Sequence, residues 1–146
     1  MAKRIKVSNP KNQNKISGKT ISDKALEVRN PGHNTNDLAP HFSFKHACNH
    51  HFQLSDWQSI ELAELIECFR KLESQSWTNI MKQSKRGLGY CKVDPKTFSK
   101  SLPEYISPEH TIIELRVNKK ARLFGYRWEN VFHIIWFDRN HDVYPM

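Results

Sequence analysis

Apolar and polar positions alternate most regularly in the last third of the chain. Ile113, Leu115 and Val117 interleave with Ile112, Glu114 and Arg116, the period of two of a half-buried strand. Asn118-Lys119-Lys120 supplies a turn. Residues 121–126 run back with Arg122, Phe124 and Tyr126 on one side, and a second polar turn follows at 127–130. Residues 131–137 are apolar on both faces apart from His133, which predicts a central strand covered from both sides. Upstream, Phe42 and Phe44 alternate with Ser43 and Lys45 over 41–46, predicting a first, shorter strand.

Between these strands the period changes to that of a helix. Leu62, Leu65, Ile66, Phe69 and Leu72 fall at i, i+3, i+4, i+7 and i+10, one apolar face of a helix of about four turns. Ser55-Asp56-Trp57-Gln58 has the spacing of a capping box at its start. A second, shorter helix capped by Ser74 or Ser76 carries Trp77, Ile80 and Met81, and Gly87 and Gly89 stop it. Pro95, Pro103 and Pro108 make residues 90–110 a long connection with one helical turn near Phe98. The order β-α-α-β-β-β predicts an α+β domain, a twisted antiparallel sheet with two helices packed on one face.

Composition separates residues 1–40 from the rest. All sixteen aromatic residues follow Pro40, so 1–40 is expected to be a disordered leader, short of the apolar surface that offsets ordering entropy. Residues 41–146 are expected to form the folded domain. Eight Lys/Arg against Asp23, Glu27 and Asp37 give the leader +5 of the total +8, and residues 81–146 are also net +5. That distribution points to a polyanionic partner, nucleic acid first among them, although basic termini also serve solubility alone. Lys82, Lys85, Arg86, Lys119, Lys120, Arg127 and Arg139 are the candidate phosphate contacts.

Cys48, Cys68 and Cys91 are too few and too scattered for a disulfide framework, which suits a reducing, cytoplasmic setting. No run approaches the ~20 apolar residues of a membrane span. Cys48-Asn49-His50-His51 offers half a zinc site without a second ligand pair at a sensible spacing, so neither a metal nor another cofactor is expected.

The element order, together with Ala121-Arg122-Leu123-Phe124-Gly125-Tyr126 and Arg139-Asn140-His141-Asp142-Val143-Tyr144, resembles the RelE/YoeB superfamily of bacterial toxins. The end of the last strand, Phe132 through Asp138, is also similar to that of uncharacterised bacterial proteins. The toxin resemblance covers residues 41–146; the leader and the proline-rich connection are additions to it. It implies an mRNA endoribonuclease, free or ribosome-dependent, held inactive by an antitoxin protein. Arg122 would correspond to the catalytic arginine, and His141 and Tyr144 to a terminal pair. Metal-free RNA cleavage needs a base for the 2′-hydroxyl, a cation for the phosphorane and an acid for the leaving oxygen. His141 or His133 suits the proton roles, Arg122 and Arg116 the cation, Glu114 an alternative base and Tyr144 a base-stacking or donor role. Each has a plainer reading: His133 a core histidine, the arginines cross-strand partners of Glu114, Tyr144 the close of the sheet. A non-catalytic nucleic-acid binder and a protein-interaction module of a bacterial or phage defence system, with Trp128 as an exposed anchor, are the other function classes.

Overall fold

The computed structural model describes residues 34–144. Its strands are β1 (His41–Ser43), β2 (Cys91–Val93), β3 (Ile112–Arg116), β4 (Arg122–Trp128) and β5 (Val131–Asp138), with helices α1 (Ser59–Glu73) and α2 (Trp77–Met81) between β1 and β2. The sheet order is β1-β5-β4-β3-β2. The chain leaves one edge, crosses through the helices to the far edge, and steps back strand by strand. It therefore brings β5 beside β1 in parallel, with Phe42 opposite Phe132. The α+β class and the two helices are as expected, but the sheet is mixed rather than wholly antiparallel.

α1 and α2 cover one face. Leu65, Cys68, Leu72, Trp77 and Ile80 pack on Ile113, Leu115, Leu123, Phe132 and Ile134. The helix begins later than the Ser55 spacing predicts. Trp57 is buried and its indole donates to the Phe137 carbonyl at 3.3 Å; it stays extended to reach the sheet, so α1 starts after it. Gln58 becomes the cap, its amide bonded to the Glu61 carboxylate at 2.7 Å, while Ser55 lies in a 3-10 turn, Leu54–Asp56. The buried stripe is correspondingly turned: Cys68 is inside, whereas Leu62 and Ile66 are 38% and 56% exposed. α2 starts as expected on Ser76, whose hydroxyl accepts the Asn79 amide at 3.2 Å.

The proline-rich connection covers the other face. Ile106, with Phe98 and Leu102 beside it, packs on Ile112, Phe124, Ile135 and Trp136, and Val143 of the C-terminal segment joins them. β5 is thus buried on both sides, as its composition requires. Within the connection lie the edge strand β2 and a 3-10 turn, Pro95–Thr97, both too short for the sequence pattern to reveal. A bulge in β5 leaves Ile135 without a partner where the register shifts between Phe124 and Gly125, and sets Tyr126 opposite His133. Gly125 is required there, because a Cβ would run into the His133 carbonyl oxygen.

The compact unit begins at Thr35, ahead of Pro40. The Thr78 amide donates to the Asn36 carbonyl (2.9 Å) and the Trp77 amide to that of Leu38 (3.0 Å). Residues 1–33, most of the expected leader, lie outside the described residues. Among the described residues no helix is long and apolar enough to cross a membrane.

Candidate functional site

The cross-strand ladder puts Glu114 of β3 on the loop-covered face, in register with Phe124 of β4 and Cys91 of β2. One strand position further, Arg122 reaches back to it: its Nε lies 3.2 Å from Glu114 Oε2. The turn after β5 brings His141 to the same oxygen, with Nε2 at 3.5 Å. Three segments thus converge on one carboxylate. The side chains of Arg122, Glu114 and His141 are 12%, 11% and 20% exposed, so the Arg122 and Glu114 charges interact with little intervening water. Arg122 Nη1 also donates to the carbonyls of Asn118 (2.9 Å) and Ala121 (3.0 Å). Burial draws the Arg122 guanidinium below its ordinary pKa, and Glu114 opposes that shift.

His141 adopts a left-handed backbone (φ 62°), an unusual conformation for a residue with a side chain. Asp138, fully buried, stabilises this turn by accepting the amides of Asp142 and Val143. At 3.5 Å His141 Nε2 is within ion-pair reach of Glu114, and an imidazole held by one nitrogen near a carboxylate leaves the other nitrogen for a substrate. Cys91 is exposed and opposite Glu114, but partial burial and the Glu114 charge both raise its pKa, so its thiol stays protonated and is a poor nucleophile.

The other expected residues are dispersed. Arg116 turns from Glu114 to donate to the Gly87 carbonyl at 3.3 Å, lining a cleft of about 360 Å³ with Glu64, Glu67 and Lys71. Tyr144 packs against the second core cluster. Arg127 is committed to structure: its guanidinium carbon lies 4.6 Å from the Trp77 ring centroid, and it donates to the Glu129 carbonyl (2.6 Å) and the Thr35 hydroxyl (2.8 Å). Arg139 pairs with Glu61 at 2.8 Å; that carboxyl sits below its ordinary pKa, chiefly through the Gln58 amide. Lys82, Lys85, Arg86, Lys119 and Lys120 remain exposed. Trp128, at the β4–β5 hairpin, is 49% exposed. The Cys48 sulfur accepts the His50 amide, and among the described residues no three His, Cys, Asp or Glu side chains are placed to share one metal ion.

His133 stands apart from this cluster. Its ring stacks on Tyr126 (4.7 Å, 11° between planes), and Tyr126 stacks on His110 (3.8 Å, 11°). His46 lies 5.8 Å from His133, and Tyr105 lies 5.9 Å from His46. His46, Tyr105, Tyr126 and His110 are additions that the sequence did not disclose. They come from three segments, and only the fold brings them together.

No protein-family model matches this chain, and no curated protein or solved structure gives a significant match.

Proposed function

We propose that this chain is a RelE-like toxin, an endoribonuclease that cuts mRNA, free or ribosome-bound, at the Glu114–Arg122–His141 cluster and is held in check by a cognate antitoxin. The observation that carries this reading is the shared Glu114 oxygen, 3.2 Å from Arg122 and 3.5 Å from His141. Glu114 orients the imidazole, and His141 Nδ1 takes the proton of the 2′-hydroxyl. The 2′-oxygen bonds to phosphorus, the bond from phosphorus to the 5′-oxygen breaks, and that oxygen takes a proton from solvent. The products are a 2′,3′-cyclic phosphate and a 5′-hydroxyl. Arg122 moves from Glu114 toward the charge on the phosphorane, where a guanidinium stabilises it. Lys119 and Lys120, exposed on the turn beside Arg122, extend the positive surface for the RNA backbone. The cysteines Cys48, Cys68 and Cys91 are all free, which suits a cytoplasmic setting.

A second reading, a non-catalytic nucleic-acid- or protein-binding module, is favoured by how closed the cluster is: Glu114 and Arg122 satisfy each other with little surface to spare. Expression without a partner separates the two. A ribonuclease arrests growth and leaves cyclic phosphate ends on mRNA; His141→Gln and Arg122→Lys relieve the arrest while the protein stays folded. RNA retarded in a salt-dependent way but never cut, by free protein or on ribosomes, supports the binder and rejects cleavage.

A further inference from the structure

We propose that the column His110–Tyr126–His133–His46–Tyr105 is a stacking platform for the bases of single-stranded RNA. This inference rests on RNA being the ligand of the proposed ribonuclease, and it assigns the part of the surface that grips the strand away from the scissile bond.

The column lies on the same sheet face as Glu114, since Ile112 and Glu114, two residues apart, share one face of β3 and Ile112 is in register with Tyr126. Its three inner rings, His110, Tyr126 and His133, are nearly parallel; His46 continues the row tilted 43° to His133 and 28° to Tyr105, and Tyr126 is buried while the imidazoles are partly open. The outer end is accessible: Tyr105 is 56% exposed. Its hydroxyl donates to the His46 carbonyl at 3.2 Å, which fixes the ring although most of its surface faces water. A purely structural stack would more economically close on an apolar side chain. This one ends in a held, solvent-facing aromatic ring, which is what a nucleobase needs. Lys45 is exposed beside His46 and near enough for its charge to be felt at His133, where it can neutralise a phosphate. Burial and the neighbouring charges hold the His133 pKa below its ordinary value, so this ring stays neutral at pH 7 behind the exposed Tyr105 end. The selection is for unpaired bases rather than for sequence.

The test is fluorescence anisotropy with a short labelled single-stranded RNA and a hairpin duplex of the same composition. The full chain carries His141→Gln so that the probe survives. Tyr105→Ala should weaken single-strand binding about tenfold, within what one base–ring stack contributes, and leave duplex binding unchanged. Tyr105→Phe, which keeps the ring, should restore most of the loss. Equal single-strand affinity in Tyr105→Ala overturns the platform, as does an equal loss on the duplex or no single-strand binding by the parent. The two readings fail separately. A chain that cuts RNA but ignores Tyr105→Ala has no platform; one that binds through Tyr105 but never cuts, even on ribosomes, has a platform and no ribonuclease.

Discussion

Asp138 holds Val143 through the main chain: its carboxylate, fully buried at the end of β5, accepts the Val143 amide at 2.8 Å and the Asp142 amide at 2.9 Å. His141 sits inside the loop that these two bonds close. Removing the carboxylate leaves two amide donors without their charged acceptor. Asp138→Ala should therefore cost about 3 kcal/mol in urea unfolding. Asp138→Asn keeps one acceptor oxygen and should cost about half as much. In the ribonuclease reading, cleavage falls in the same order, because the turn no longer presents His141. A change under ~0.5 kcal/mol in the alanine variant would mean that the turn is held by something else.

The seven basic residues read from the sequence as phosphate contacts divide into two kinds, and salt dependence separates them. Lys119 and Lys120 are exposed on the β3–β4 turn. Replacing either with Ala should lower the slope of log affinity against log salt by about one, with little effect on stability. Arg127 instead packs on Trp77 and donates to Glu129 and Thr35. Arg127→Ala should cost ~2 kcal/mol of stability, from a partly desolvated cation–π contact and two hydrogen bonds. The salt slope of the folded variant should not change. A slope that falls by one in Arg127→Ala would return that residue to the RNA surface.

Gly125 is where the register of β4 and β5 shifts, and the space for a side chain is occupied by the His133 carbonyl oxygen and the Phe132 ring. Gly125→Ala must push β5 away or abolish the bulge. We expect a loss of 1–3 kcal/mol, of the order seen for overpacked cores, and loss of the Tyr126–His133 stack. The stack is read as a change in near-ultraviolet circular dichroism. An alanine variant as stable as the parent would show that the bulge is not held by this close approach.

Much of the fold was legible because it depends on local pattern. Alternation identified the three C-terminal strands, and a doubly apolar run in 131–137 identified β5 as central. Period alone could not rotate α1: Ile66 and Cys68 both lie near the edge of its apolar stripe. The structure turns Cys68 inside and leaves Ile66 56% exposed. Nor could period give β1 a direction, since a three-residue strand carries no sign of a parallel neighbour. In the candidate site, Glu114, Arg122 and His141 were all named from the sequence, and Glu114–Arg122 followed from strand adjacency. The ring column was out of reach, because His46, Tyr105, Tyr126 and His133 belong to segments whose juxtaposition is set by the crossover and the bulge.

Protonation of His133 should oppose folding. Its ring faces His46 from the segment after β1, Tyr126 from β4 and, beyond Tyr126, His110 from the connection, with the charge of Lys45 nearby. Its Nδ1 is buried without a hydrogen-bond partner. Burial first, then His46, His110 and Lys45, lower its pKa from 6.5. The unfolded chain therefore takes up a proton at higher pH than the folded one does. The contribution of His133 is present in full above pH 6.5 and is lost as pH falls from there through the folded-state pKa. Unfolding free energy measured in urea should be flat from pH 8 to 7 and decline below about 6.5. In His133→Phe, which keeps a stacking ring but cannot titrate, the decline should be shallower in that window, whatever the other histidines contribute. Identical pH profiles for parent and variant would show that His133 is not the group whose protonation opposes folding.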